Sequence, residues 1–92
     1  MEALWDIQGA RVLKTARLER TTPTGGARHF RDGQLQTGFT RLALAQYDGE
    51  AGVYIFYCDD VWNCLNDTLH ADLAEAEEQA AVEFRGVSFS DA

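Results

Sequence analysis

The chain has 92 residues and a mass of 10.2 kDa, the size of one small domain that can hold a core without metal or disulfide staples. Hydrophobic residues make up 46% and charged residues 25%, which excludes a disordered, collagenous or mucin-like chain. Fifteen acids against eight Lys and Arg give a formal charge of −7, which disfavours whole-molecule attraction to nucleic acid or to an anionic membrane.

The first residues, Met1 to Asp6, lack a basic segment followed by an apolar one. They therefore do not read as a secretory signal, and the expected location is the cytoplasm. From Val12 to Arg20 the sequence alternates: Val12, Ala16 and Leu18 share one parity, and Arg11, Leu13, Thr15, Arg17 and Glu19 share the other, and residues 3–20 are read together. Period two predicts one long broken strand or two short ones, with a short helix as the alternative over the first part. A bulge near Gly9 would bring Trp5 and Ile7 onto the face of Val12. Residues 21–34 hold the only proline, Pro23, then Gly25-Gly26 and Asp32-Gly33. Those breakers predict a long mobile hairpin loop. Leu35 to Tyr47 reads as the next strand, and Asp48-Gly49 as a turn. Val53 to Cys58 is β-branched or aromatic nearly throughout and lacks polar alternation, which predicts a central strand buried on both faces. Asp59-Asp60 turns the chain, and Trp62 to Thr68 reads as a short edge strand.

Asp72 reads as a helix N-cap, with Glu75 three residues on to close a capping box. Leu73, Ala76, Ala80 and Phe84 then form one apolar stripe, and Glu75, Glu78, Gln79 and Glu83 are expected to point away from it. Glu77 lies beside the stripe, where it could pair with an Arg of the sheet or extend its head to water. Gly86 is expected to end the helix as a C′ residue. The tail Val87–Ser90 is expected to form a short strand or to pack back. The predicted architecture is a single α+β domain over residues 1–92. It is an antiparallel β-meander of three to four strands with one C-terminal helix on one face.

Residues 54–84 contain Tyr-Ile-Phe-Tyr-Cys-Asp-Asp-Val-Trp-Asn-Cys-Leu-Asn-Asp-Thr-Leu-His, followed by Asp-Leu-Ala-Glu-Ala. This third of the chain resembles small uncharacterised bacterial proteins with an aromatic strand, a Cys-Asp turn, a Trp, an Asp-Thr-x-His segment and an acidic Ala-rich helix. The resemblance implies the strand–turn–strand–helix order and attaches no activity.

Several groups of residues invite chemistry. Cys58, Cys64, Asp67 and His70 are zinc-ligand types, but the five-residue gap between the cysteines departs from the usual knuckle. Whether the two thiols face each other is open at this point. A nucleophilic Cys paired with His70 or His29 would sit among Asp59, Asp60 and Asp67, whose charge suppresses the thiolate. Asp67 could orient His70 as a base, or both could belong to the turn into the helix. Gly25-Gly26-Ala27-Arg28-His29-Phe30-Arg31 lacks the Gly-Lys-Ser/Thr ending of a phosphate loop. The Asn66-Asp67-Thr68 sequon has meaning only in a secreted chain.

Charge is unevenly laid out. Up to Gln46 there are seven cations against four acids, and from Tyr47 onward one cation against eleven acids. These patterns favour a small non-enzymatic protein-binding module of inhibitor, immunity or adaptor type, with no cofactor and no bound metal. Its candidate partner-binding residues are Asp72, Glu75, Glu78 and Glu83 on the helix, and Arg28 and Arg31 in the loop. The partner would be another protein. The alternatives are a small metal-binding or Cys/His-dependent enzyme and a weak nucleic-acid binder using Arg11, Arg17 and Arg41 on one sheet face.

Overall fold

The computed structural model describes residues 6–19, 21–24 and 29–92. The elements in chain order are β1 (Asp6–Ile7), β2 (Ala10–Arg17), β3 (Thr22–Pro23), β4 (His29–Arg31), β5 (Gln34–Gln36), β6 (Arg41–Gln46), β7 (Val53–Cys58), β8 (Cys64–His70), α1 (Leu73–Glu83), β9 (Phe84–Arg85) and β10 (Ser90–Asp91). A curled antiparallel sheet runs in the order β1-β2-β6-β7-β8, and β10 adds to β2. Two small ribbons, β3 with β9 and β4 with β5, complete the strands. The helix packs against β6, β7 and β8. The fold is therefore α+β with the meander β6-β7-β8 and a C-terminal helix. The main sheet extends past the three to four strands expected.

β7 is an interior strand, between β6 and the edge strand β8, and its bounds are those the sequence predicts. Val53, Ile55 and Tyr57 face the helix, while Phe56 and Cys58 face away, so both faces are buried. This is why the strand shows no polar alternation. The helix stripe is present as predicted: Ala76 and Ala80 are wholly buried and Phe84 nearly so. Alanines there let the helix lie close on Leu42, Leu44 and Ile55. Asp72 caps α1 with extended backbone, φ −157°, and accepts from the Glu75 N–H at 2.8 Å. Glu75 in turn accepts from the Ala71 N–H at 3.4 Å, one residue before the cap.

The break near Gly9 is a turn, not a bulge. Gln8 and Gly9 both have positive φ, 51° and 83°, and Ile7 pairs with Ala10. Two successive left-handed residues make the tight hairpin turn that matches strand twist, and glycine takes the second at no steric cost. The expected place of Trp5 lies outside the described residues. The bulge occurs instead at Leu13, between the Val12↔Ala45 and Lys14↔Leu44 pairs. One extra residue flips every later side chain to the other face. Val12 therefore packs on the outer face, whereas Ala16 and Leu18, of the same parity, pack under the helix.

The predicted strand over residues 35–47 is two strands, β5 and β6, separated around Gly38 at φ 79°. The segment 21–34, expected as one long hairpin loop, carries β3, β4 and the start of β5. Thr22 and Pro23 pair with Arg85 and Phe84, and Asp32-Gly33 makes a second positive-φ turn. The edge strand starts at Cys64 rather than Trp62. The Asp59 carboxylate accepts from the Val61 and Asn63 N–H groups and the Asn63 amide, at 2.9–3.0 Å, and Trp62 is left-handed at φ 65°. These bonds hold the Asp59 carboxyl below the usual carboxylate range. Helix α1 ends before Gly86 can serve as C′: Phe84 is already extended at φ −132° and belongs to β9. Gly86, at φ 89°, turns the chain after that strand. The tail returns as expected, with β10 on β2 and with Val87 and Phe89 against the core.

Candidate functional site

The acidic residues of the helical segment divide into three kinds. Glu75 and Glu78 are exposed on α1, three residues apart, with exposed Val82 continuing their side of the helix. Asp72 is exposed at the cap. Among the described residues, no cation pairs with Asp72 or Glu78. His70 Nδ1 lies 3.9 Å from Glu75. Glu77, half-buried, accepts from Lys14 Nζ at 3.1 Å, so its partner from the sheet is a lysine and not an arginine.

Glu83 is the third kind and corrects the expectation. It is only 4% exposed and cannot join Glu75 and Glu78 on an open strip. The reason lies in its spacing. It is three residues past Ala80 and seven past Ala76, so it falls within the apolar stripe. Its carboxylate is satisfied by three donors: His29 Nε2 at 2.6 Å, the Tyr57 hydroxyl at 2.7 Å and the Gln79 amide at 2.9 Å. A carboxylate only accepts, so His29 carries a proton on Nε2. His29 itself is buried, with its ring 4.1 Å from that of Tyr57 and 5.4 Å from that of Phe39.

The network continues along β8. The Tyr57 proton goes to Glu83, so the Thr68 hydroxyl, 3.3 Å away, donates to the Tyr57 oxygen. His70 Nε2, at 2.8 Å, must then donate to Thr68. Burial above all, with the neighbouring Glu83 charge adding to it, pushes the Tyr57 phenol far above its ordinary range. The network fixes β4 over the C-terminal end of α1; His29, Tyr57 and Glu83 are buried in it, and Gln79, Thr68 and His70 form its part-exposed margin. The local sequence around His29 is polar and irregular and gave no sign of this burial. The spacing of Glu83 from Ala76 and Ala80 was the one available signal.

The other groups are separated by the strand register. Cys58 pairs with Cys64 at one end of β7–β8, while His70 pairs with Val53 at the other. Six residues of strand put about 20 Å between them. The metal set Cys58, Cys64, Asp67 and His70 is therefore not gathered, and no cluster of three or more metal-ligating side chains occurs among the described residues. Asp67 and His70 differ in parity, and His70 bonds to Thr68 instead. Both cysteines are thiols. Hydrogen bonding to Cys64, then burial, drives the Cys58 thiol far upward, which opposes a resting thiolate nucleophile.

The bulge at Leu13 also splits the arginines. Arg17 and Arg41 are direct cross-strand partners, whereas Arg11 pairs with Gln46 on the other face. Arg41 donates to the Asp60 carbonyl at 3.1 Å and lies 5.4 Å over the Trp62 ring. Arg28 lies outside the described residues, and Arg31 is placed in β4 by its backbone. No helix among the described residues is long and apolar enough to cross a membrane. No protein-family model matches the chain, and no curated protein or solved structure matches it significantly.

Proposed function

We propose that this protein is a non-enzymatic module that binds another protein, of basic surface, through Asp72, Glu75 and Glu78. One observation carries the reading. The fold pairs Glu77 with Lys14 and hydrogen-bonds Glu83 to His29, Tyr57 and Gln79, yet leaves these three acids outward. Val82, 54% exposed on the same side, adds an apolar contact. Charge of one sign on a rigid helix steers a partner of the opposite sign and fixes its orientation. Inhibitor, immunity and adaptor proteins use surfaces of this kind, and Arg28 and Arg31 offer a second, basic contact.

The enzymatic alternative would need Cys58 or Cys64 to meet His70 or His29: the register keeps the cysteines at the end of β7–β8 opposite His70, and His29 bonds to Glu83 on the helix side of the sheet while both cysteines lie on the other. The nucleic-acid alternative loses Arg11 to the opposite face and works against a net charge of −7.

The test is a double charge reversal, Glu75→Lys with Glu78→Lys, leaving the cap Asp72 and the buried Glu83 intact. The variant is expected to keep its circular dichroism spectrum and to lose partners that wild-type protein captures from a native lysate in a salt-sensitive way. Capture of the same partners with the same salt dependence would show that the helix face is merely solvated.

A further inference from the structure

The two cysteines meet because β8 carries a bulge. Tyr57 pairs with Asn66, and the next pair is Cys58 with Cys64, so Leu65 is the extra residue. In an unbroken register Cys58 would face Leu65, and Cys64 would point to the other side of the sheet. With the bulge, both sulfurs enter the same apolar layer, beside Phe56 and Trp62. Directly paired residues of antiparallel strands have Cα atoms about 4.5–5.5 Å apart, within the span a disulfide bridges. Cys64 donates its thiol proton to the Asn66 carbonyl at 3.1 Å, and the Cys58 thiol is hydrogen-bonded with Cys64. Cys58 is fully buried, and Cys64 is partly exposed.

We propose that Cys58 and Cys64 form a two-electron thiol–disulfide site that closes to a cross-strand disulfide by exchange with a low-molecular-weight disulfide. Cys64, the sulfur that solvent reaches, loses its proton and attacks one sulfur of the oxidant RSSR. The oxidant S–S bond breaks, one RS⁻ leaves and is protonated, and Cys64 holds a mixed disulfide. Cys58 then gives up its proton and attacks Cys64 Sγ, and the second RS⁻ leaves and is protonated. Two electrons and two protons pass from the protein to the oxidant, which ends as two RSH. The closed bond ties off the Asp59–Asn63 turn and fixes the start of edge strand β8.

The experiment uses the full chain, reduced and without denaturant, incubated with oxidised glutathione, quenched by an alkylating reagent and weighed intact. Wild-type protein is expected to lose two hydrogens and resist alkylation. The closed form should exceed the mixed adduct by at least about tenfold, because the second thiol is already in position. Cys58→Ala should stop at a single glutathione adduct on Cys64, and Cys64→Ala should stay reduced while folded. Wild-type protein that accumulates the single adduct, links between chains or stays reduced overturns the proposal, and that result needs no variant to fold.

Discussion

The two faces of the sheet are buried by different means. Under the helix, the core includes a carboxylate to which a histidine, a phenol and an amide are each hydrogen-bonded. On the outer face, the buried layer of Ala10, Ala43, Ala45, Phe56 and Cys58 holds no carboxylate or imidazole, and the partly buried Tyr47, Tyr54 and Trp62 pack at its margin. A buried carboxylate is costly unless its acceptor sites are filled, and Glu83 has three donors. That network joins residues 54 positions apart and so fixes where β4 lies on the helix. The outer face relies on small side chains and close packing, which specify position by volume and not by direction.

The sharpest way to break the contrast is Glu83→Ala. It strands His29, Tyr57 and Gln79 in the core, and the expected loss is about 3–5 kcal/mol in a urea unfolding curve. Glu83→Gln keeps the shape and some of the bonds and should cost about 1–3 kcal/mol. Equal losses for the two variants would show that volume, not the carboxylate, matters there. On the outer face the corresponding change is Ala45→Leu, since Ala45 has no exposed surface. Overpacking at that position should cost about 1–3 kcal/mol in the same assay, and a neutral result would mean the outer layer has room to spare.

A pH titration sharpens the comparison further. Tyr57 in the folded protein holds its proton far above the ordinary phenol range, while unfolded chains release theirs near pH 10. The folded state thus binds more protons in alkali. The Tyr57 contribution to stability is complete below the unfolded value and falls by about 1.4 kcal/mol for each pH unit above it. Cys58, also held protonated by the fold, adds its own loss from about pH 8.5 upward, so Tyr57→Phe should lower the slope above pH 10 by about 1.4 kcal/mol per pH unit and leave the Cys58 part, as read from urea midpoints between neutral and alkaline pH. An unchanged slope in the variant would place the alkaline sensitivity elsewhere.

Much of this layout was legible locally. The interior strand Val53–Cys58, the cap Asp72 and the stripe Ala76–Ala80–Phe84 follow from backbone periods of two and 3.6, which operate over a few residues. The turn at Gln8-Gly9 was harder to read, because a positive-φ pair resembles a bulge when the partner strand is unknown. Glu83 was misplaced for a related reason: its charge suggested the solvent side, and its spacing suggested the core.

By itself, then, the sequence determined the α+β class, the order of strand, turn, strand and helix after Val53, and the face by which the helix docks. The tertiary structure alone decided that Lys14 meets Glu77, that His29 meets Glu83 and that Cys58 meets Cys64. Each of these pairs depends on strand register or on the path of a distant segment. A single extra residue, at Leu13 or at Leu65, exchanges the two faces of a strand, and local periodicity carries no record of where the partner strand permits it.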